Sequence, residues 1–463
     1  MTTFEAATPL GAVRGAEAGG LLHFTGIPYA QPPVGALRFA APKPVVPWSG
    51  VLDATGGPVV APQGPSRLVG AVGEFSGEQS EDCLQVSVTT PAVDGPRRPV
   101  MVWLHGGGFS SGGGALDWYD GSTLAREGGV VVVGVNYRLG PLGYLRVEGA
   151  GDGDAGLLDM VEALRWVRDN IESFGGDPDN VTVFGQSAGG LCTLLMLTLP
   201  EARGLFHRAI LQSPPGGVLP LTSREARHNA ALLHDALGYP ELDADALRQR
   251  LTEEPAGRLL TAARLVAQET AVPGGVAPPY LPVADGFEST EMLLSAAARG
   301  AAEAGIPLIV GTTRDEALAM VSGQPAADVM TDRWFTGPAH AFAQAVAAAG
   351  GEVWVYRLDW APTDSPLGAC HCLELPLVFG TADAWAKAPM IAGADPAEQE
   401  ALSARIRGNW LSFAATGEPG GDLPWPRYDN GRPTMIFDTR SGVVRDPLPM
   451  TTNFAKGRHD HDL

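Results

Sequence analysis

Cysteine, positive charge and long apolar runs are scarce in this sequence, and each scarcity excludes a class of protein. Four cysteines in 463 residues are too few for a disulfide framework, so we expect free thiols and a cytoplasmic protein. The 32 Lys and Arg against 52 Asp and Glu leave a formal charge of −20, whereas phosphate backbones select basic surfaces. No apolar run approaches the roughly 20 residues that span a bilayer, and the first residues lack a secretory-signal pattern. We therefore predict neither a nucleic-acid nor a membrane partner.

The sequence does contain short apolar runs that alternate with helical patterns. Runs rich in β-branched residues that stop at Gly or polar residues predict buried strands. The predicted strands are 99–104, 130–135, 181–184, 209–212 and 306–310, and the predicted helices are 157–171 and 191–199. This alternation is typical of an α/β protein with a mostly parallel central sheet flanked by helices, which binds ligands at the carboxyl ends of its strands. Residues 224–303 have a helical composition instead, so we predict one domain, 1–463, with a helical insertion there.

A Gly-rich turn around Ser187 carries the first chemical signal. Residues 185–190 read Gly-Gln-Ser-Ala-Gly-Gly and lie between a predicted strand and a predicted helix. Glycines two places before and after a serine let strand and helix approach closely, which holds the hydroxyl out at the sheet edge over a helix N-terminus. The alternative is a serine in a purely structural turn.

A second Gly-rich turn, His105-Gly106-Gly107-Gly108-Phe109, follows the 99–104 strand. Acyl transfer needs hydrogen-bond donors where the tetrahedral oxyanion forms. Successive glycines leave their backbone N–H groups unshielded, and the N–H of Ala188, next to the serine, is a further donor. The alternative is a flexible loop without a role.

A general base for such a serine is expected to be a histidine. Of the nine histidines, His371 fits best, because it lies late in the chain and the order Ser, acid, His is that of α/β-hydrolases. Asp315 and Glu316 adjoin after the 306–310 strand, and either could orient the imidazole. Cys370 and Cys372 flank His371, but their spacing is not that of a zinc site, so we expect no metal and no cofactor.

At this point the sequence resembles the type-B carboxylesterases, a family that includes bacterial esterases and the cholinesterases. The matching stretches are 24–30, 32–35, 38–39, 81–84, 105–109, 136–140, 174–181, 185–190, 204–210 and 311–316. The resemblance implies an α/β-hydrolase fold and ester hydrolysis through an acyl-enzyme. It also implies Ser187, Glu316 and His371 as the triad, and Gly107, Gly108 and Ala188 as the oxyanion hole.

The resemblance further implies two buried ion pairs that hold loops around the site. They join Arg38 to Glu81 and Arg138 to Asp159. We expect these four residues to be structural.

Several positions depart from the family pattern and bear on the substrate. Gln186 stands where many relatives carry Glu, and Ala319 and Met320 stand where cholinesterases have aromatic rings. Cation–π recognition of choline needs such rings, so we predict neutral esters in an apolar pocket contacted by Phe109, Ala319 and Met320. Cys83 has no upstream cysteine to pair with, unlike its counterpart in secreted relatives, which again favours a reducing compartment.

We therefore predict a serine carboxylesterase for small-molecule esters, as a monomer or small homo-oligomer. One alternative keeps the mechanism but acts on amides or carbamates. Another is a binding protein on the same scaffold, but such relatives lack the nucleophile, whereas Ser187 is present here.

Overall fold

A large mixed sheet organises the part of the chain that the computed structural model describes, residues 2–75, 77–239, 242–271 and 277–447. Its strands and a few peripheral ones are β1 (Thr2–Thr8), β2 (Gly11–Ala18), β3 (Leu21–Pro28), β4 (Val51–Asp53), β5 (Val59–Val60), β6 (Glu78–Gln79), β7 (Gln85–Thr90), β8 (Arg98–Leu104), β9 (Val131–Val135), β10 (Arg146–Val147), β11 (Gly151–Asp152), β12 (Gly176–Gln186), β13 (Arg208–Gln212), β14 (Leu308–Thr313), β15 (Val353–Leu358), β16 (Pro433–Phe437) and β17 (Gly442–Arg445). The helices are α1 (Val69–Val72), α2 (Ser122–Gly128), α3 (Gly140–Tyr144), α4 (Ala155–Asn170), α5 (Ala188–Met196), α6 (Ser223–Leu237), α7 (Ala244–Glu253), α8 (Ala256–Glu269), α9 (Thr290–Ala304), α10 (Gln324–Thr331), α11 (Gly337–Ala348), α12 (Leu375–Phe379) and α13 (Pro396–Thr416).

The centre of the sheet is parallel and its two edges are antiparallel. The strand order is β1-β2-β3-β7-β9-β8-β12-β13-β14-β15-β16-β17, with β4 paired to β2. Every neighbouring pair from β9 to β16 is parallel, so these strands end at the same edge of the sheet. The predicted α/β-hydrolase fold with a mostly parallel sheet flanked by helices is confirmed.

Strand β8 shows why the central strands read as unbroken apolar runs. Val100, Val102 and Leu104 belong to one buried hydrophobic cluster, whereas Met101 and Trp103 belong to a second. Successive side chains of a strand point to opposite faces of the sheet, and both faces here are covered, so both sets must be apolar.

The predicted elements exist, and their boundaries shift by a few residues. The helix predicted at 191–199 begins at Ala188, directly after the Ser187 turn. The strand predicted at 306–310 runs from Leu308 to Thr313, because Pro307 has no N–H to donate to a ladder. As a result, Ser187 lies directly before α5, and Asp315 and Glu316 lie directly after the turn that ends β14.

Helices α6 to α9 cover most of the predicted insertion, residues 224–303. Arg38 ties this region to the loop between β3 and β4, because its guanidinium donates to the carbonyls of Leu251, Thr252 and Glu254 at 2.6–3.0 Å. The division into one domain with an insertion stays a prediction. Within the described ranges, no helix has the length and apolar character needed to cross a membrane.

Candidate active site

Two adjacent strands bring both Gly-rich turns to one place. In the parallel pair β8–β12, Leu104 lies opposite Gly185, so the turns that follow begin side by side. On the other flank Gln186 lies opposite Gln212 of β13, and the Ser187 N–H donates to the Gln212 carbonyl at 2.9 Å. Ser187 therefore stands at the carboxyl edge of the sheet, where ligands bind in this fold class.

The turn at Ser187 is strained, and glycines make it possible. Ser187 has φ 54° and ψ −118°, a backbone conformation that non-glycine residues rarely adopt outside functional sites. A Cβ on Gly189 would lie 2.0 Å from the Leu104 carbonyl oxygen, and one on Gly185 would lie 2.7 Å from Gly189. Because α5 begins at Ala188, Ser187 lies at a helix N-terminus, which favours negative charge.

The loop after β8 presents free backbone donors to the same place. The Gly107 carbonyl accepts from the N–H groups of Ser110 and Ser111, each at 3.1 Å. In a trans peptide the N–H points away from the C=O, so the Gly108 N–H faces the opposite side. Among the described residues, no hydrogen bond takes its proton from the N–H of Gly107, Gly108 or Ala188. Three donors are thus available to an oxyanion.

His105 and Tyr137 hold this loop, a role that the sequence did not indicate. His105 Nδ1 lies 2.7 Å from the Gly106 carbonyl oxygen, and the Tyr137 hydroxyl donates to the His105 carbonyl at 2.7 Å. The two rings stack with centroids 4.3 Å apart. Burial lowers the pKa of His105 to about 4, so the imidazole is neutral and its Nδ1–H donates to the Gly106 carbonyl.

His371 and Glu316 meet in a fully buried contact. Both side chains have 0% exposure, and His371 Nδ1 is hydrogen-bonded to Glu316 Oε2. Glu316 is fixed from the other side, because its Oε1 accepts from the Thr313 N–H at 2.8 Å, and its carbonyl accepts from the His371 N–H at 3.2 Å. The carboxylate thereby selects the imidazole tautomer with the proton on Nδ1.

Asp315, the alternative acid, points elsewhere. Its Oδ2 accepts from the Ala369 N–H at 2.9 Å and from the Arg314 guanidinium at 2.9–3.0 Å. Asp315 therefore anchors the loop that carries His371 and does not contact the imidazole.

The second imidazole nitrogen faces the amide of Gln186. The two Nε2 atoms of Gln186 and His371 are 3.2 Å apart, and with the proton on Nδ1 the imidazole Nε2 accepts from the amide. Ser187 and His371 line one cavity, but no described hydrogen bond joins the Ser187 hydroxyl to the imidazole. Catalytic hydrogen bonds are often long in unliganded enzymes and shorten when substrate binds.

Glu374 is a second buried carboxyl group close to the triad. It has 1% exposure, and its described hydrogen bond is a 3.5 Å contact from the Gln212 amide. Burial, and then the nearby Glu316 charge, raise the pKa of Glu374 to about 7. Sequence reasoning did not identify this group, because the raised pKa of its carboxyl depends on tertiary packing.

A partly open cavity lies over Ser187 and His371. Of the three predicted substrate contacts, Phe109 and Met320 line it. Ala319 is not among the lining residues and packs against the second core cluster. The lining also contains aromatic side chains that sequence reasoning missed, namely Phe75, Trp118, Tyr119, Phe335 and Trp385. The lining is apolar and combines these aromatic rings with aliphatic side chains such as Leu191, Leu281 and Leu375.

The two ion pairs implied by the resemblance are confirmed. Arg38 binds Glu81 through two contacts of 2.6–2.7 Å, and Arg138 binds Asp159 through two of 2.6–2.8 Å. Arg138 and Asp159 are almost fully buried, so removing one partner would leave an uncompensated charge.

The four cysteines are buried and free. Within the part of the chain described here, no group of His, Cys, Asp or Glu side chains is arranged to hold a metal ion.

Comparisons with known proteins agree with this geometry. The carboxylesterase family model matches residues 3–328 and 322–454. The chain is 39% identical to the para-nitrobenzyl esterase of Bacillus subtilis (strain 168), over 95% of this chain and 96% of the relative. It is 40% identical to a probable N-octanoylanthranilate hydrolase of Rhodococcus erythropolis, over 91% and 94% of the two chains.

Solved structures give the same result. A thermophilic PNB esterase superposes with a TM-score of 0.86 at 37% identity, covering 96% of this chain and 98% of that one. A carboxylesterase of Geobacillus stearothermophilus gives 0.81 at 36% identity with the same coverage. Ser187, His371 and the 106–108 loop line one cavity, and, in agreement with this site, the chain belongs to the carboxylesterase family and is a carboxylic ester hydrolase.

Proposed function

We propose that this hydrolase cleaves small neutral carboxylic esters through an acyl-enzyme on Ser187. Glu316 orients His371, His371 is the general base, and the N–H groups of Gly107, Gly108 and Ala188 form the oxyanion hole. The observation that carries the proposal is that one apolar cavity contains Ser187, His371 and the loop with free N–H donors.

The chemistry follows from the protonation state of the imidazole. As the Ser187 oxygen attacks the ester carbonyl, His371 Nε2 takes the hydroxyl proton, and the carbonyl oxygen becomes an anion bound by the free N–H groups. The tetrahedral intermediate then expels the alcohol, which takes the proton from His371 and leaves an acyl group on Ser187. Water repeats the sequence, releasing the carboxylic acid and restoring the serine.

The neutral-substrate proposal rests on the cavity lining. Apart from Arg67 at its mouth, the lining side chains carry no fixed charge among the described residues. Apolar clefts with a few placed polar groups bind apolar ligands and orient them. Gln186 beside Ser187 adds no negative charge that would attract a cationic ester.

The test is hydrolysis of 4-nitrophenyl butyrate by the wild type and by Ser187→Ala. We expect the variant to lose turnover by a factor of about 10⁴ or more, and a fluorophosphonate probe to label Ser187 in the wild type alone. Ser49→Ala, at an exposed serine away from the cavity, is the matched control and should keep full activity. Undiminished turnover in Ser187→Ala would refute the mechanism.

The amide alternative is tested with a matched pair of substrates. 4-Nitrophenyl butyrate and butyryl 4-nitroanilide share their acyl group and aromatic ring and differ in the bond cleaved. We expect a much larger kcat/KM for the ester, and a larger value for the anilide would overturn the assignment.

We also propose a cytoplasmic location and a monomer or small homo-oligomer. Support for the location is that all four cysteines are free thiols. Size-exclusion chromatography with light scattering measures the oligomeric state, and a large assembly would contradict the second part.

A further inference from the structure

The side chain of Gln186 meets the imidazole of His371 inside the cavity. Gln186 ends β12 directly before Ser187, is 1% exposed and belongs to the cavity lining. Its amide Nε2 lies 3.2 Å from His371 Nε2 and 3.4 Å from Cys372 Sγ. A Cβ built on Gly106 would clash with Gln186 Oε1, so the amide oxygen lies beside the oxyanion loop. The amide is thus held between the imidazole and that loop.

The position of the imidazole proton decides how this amide is used. Glu316 holds the proton on Nδ1 of His371, so Nε2 of the neutral ring carries a lone pair and no proton. The Gln186 amide must therefore donate its N–H to Nε2. A donor at that lone pair stabilises the neutral ring and disfavours the imidazolium, which has no lone pair there. Ser187 needs the neutral ring as well, because only this form can take its proton.

The other titratable groups around His371 leave this amide as its neutral partner on the cavity side. Among the described lining residues, Arg67 has the one fixed charge, and no Asp or Glu lines the cavity. Behind the imidazole, Glu316 is the bound carboxylate, and burial raises the pKa of Glu374 to about 7, so Glu374 is uncharged at acid pH. Asp315 is paired with Arg314. The thiols and phenols that interact with Glu374 stay protonated, because burial raises the pKa of each: Cys370, Cys372, Tyr119 and Tyr356.

We propose that Gln186 is a positioning residue that keeps His371 in its neutral, proton-accepting form, so that ester hydrolysis extends to lower pH than a carboxylate at position 186 would allow. A glutamate there would accept a hydrogen bond from the protonated Nε2 and hold the ring as imidazolium, which cannot take the proton of Ser187. The proposal rests on the proposed function, because it assumes that His371 is the general base.

The test is the pH dependence of kcat/KM on 4-nitrophenyl butyrate, which reports on groups of the free enzyme. In Gln186→Glu the new carboxyl group and the imidazole titrate as a pair, so the midpoint of the acid limb is what is compared. We expect this midpoint to rise by at least about one pH unit, an activity loss of about tenfold at acid pH that is recovered as the pH rises. Gln186→Met has similar size without donor or charge and should raise the midpoint by less. Gln268→Glu makes the same change at an exposed residue outside the cavity and should match the wild type.

The outcomes separate this proposal from a merely structural role of Gln186. A loss of the same size at every pH in Gln186→Glu, with the midpoint unmoved, would refute the proposal, and so would a lower midpoint in Gln186→Met than in the wild type. Circular dichroism over the pH range checks the fold, and should Gln186→Glu not fold, the sign of the Gln186→Met shift still decides.

Two further results assign the cause of any shift. Because Glu374 titrates near neutral pH, the comparison is repeated in Glu374→Gln, where the same shift is expected. A shift that vanishes in that background would belong to Glu374 and would overturn the proposal. Failure of the wild type to cleave the ester at any pH would refute the proposed function instead.

Discussion

The floor and the wall of the cavity are built in different ways. The cavity floor, defined here as Ser187, His371, Glu316 and the 106–108 loop, follows the ends of parallel strands β8, β12, β14 and β15. The cavity wall, defined as Arg67 and the aromatic side chains at 75, 118, 119, 335 and 385, comes from segments far apart in the chain. Backbone geometry thus fixes the floor, whereas side-chain packing forms the wall.

This difference teaches where substitutions should matter most. In the floor, a single atom placed wrongly removes a proton acceptor or an oxyanion donor, and the whole reaction suffers. In the wall, a lost side chain removes one of several apolar contacts, and the substrates that used that contact suffer most. Large losses on all substrates should therefore mark the floor, and smaller, substrate-dependent losses the wall.

The largest effect short of removing the nucleophile is expected for Glu316→Gln. The amide can present its N–H₂ to Nδ1 and so favour the wrong imidazole tautomer, which in serine hydrolases lowers kcat by about 10⁴-fold. Steady-state kinetics on 4-nitrophenyl butyrate measure the loss. Asp315→Asn at the neighbouring carboxylate is the matched control and should lose less than about tenfold. A comparable loss in both variants would mean that the two carboxylates act together and that the acid is not Glu316 alone.

The next largest effect is expected for Gly107→Ala. The new methyl group would lie 1.9 Å from the Ser111 carbonyl oxygen, at a residue with φ 121°, so the loop must move and with it the oxyanion donors. Loss of one donor typically lowers kcat by about 10²–10³-fold. Gly57→Ala adds the same methyl group where nothing lies within 4 Å and should leave kcat unchanged. If circular dichroism shows a folded Gly107→Ala protein with normal kcat, the loop is not the oxyanion hole.

Much of the floor could be predicted from the sequence because its signals are local. The glycines around Ser187 and the 105–109 turn each follow an apolar strand, and parallel strands end at one edge. Residue chemistry could not decide between Asp315 and Glu316, because side chains of neighbouring residues on a turn point in different directions, and which of the two contacts His371 depends on the tertiary fold. The resemblance to a family had favoured Glu316, and the contact agrees with it.

Little of the wall could be predicted, and the reason is physical. Phe335 lies with its ring centroid 5.0 Å from that of His371, and Trp385 stacks on Trp118 at 4.2 Å, although these partners are far apart in sequence. Such contacts depend on how loops fold over the sheet edge, and the hydrophobic periodicity of the sequence contains no information about them. Ala319 and Met320 were both predicted to line the cavity, but only Met320 does so.

A third prediction concerns the cost of a buried carboxyl group beneath the floor. The pKa of Glu374 is raised to about 7 from 4.5, so folding takes up a proton between these pH values and this group's contribution to stability falls as pH rises from about 4.5 to 7. The shift corresponds to about 3 kcal/mol at most. Glu374→Gln should remove this dependence of stability on pH. The free energy of unfolding of the variant should therefore rise relative to that of the wild type between pH 5 and pH 8.

Urea unfolding at several pH values measures that difference. Glu303→Gln makes the same change at an exposed glutamate and should follow the wild-type curve. Parallel curves for Glu374→Gln and the wild type would mean that the carboxyl group does not titrate in this range.

The smallest effect is expected in the wall, for Trp118→Ala. Trp118 stacks on Trp385 with an interplanar angle of 17° and meets Phe75 edge to face, so an aromatic substrate group has ring faces and edges to pack against. Aromatic contacts are worth about 0.5–1.5 kcal/mol beyond the area they bury, which is up to about tenfold in kcat/KM. Benzyl acetate should therefore lose more than cyclohexylmethyl acetate, whose ring has similar bulk but no π-electrons.

The conservative variant Trp118→Phe decides whether the ring or the bulk matters. A phenyl ring can still stack on Trp385, so the preference for benzyl over cyclohexylmethyl acetate should survive, with a loss of less than about threefold. Were Trp118→Ala instead to lower kcat equally on both acetates, the ring would be supporting the floor, and the separation of floor from wall would fail at this residue. A loss confined to the KM of the aromatic ester would place Trp118 in the wall, because a group that binds the ground state and the transition state equally changes KM and leaves kcat alone.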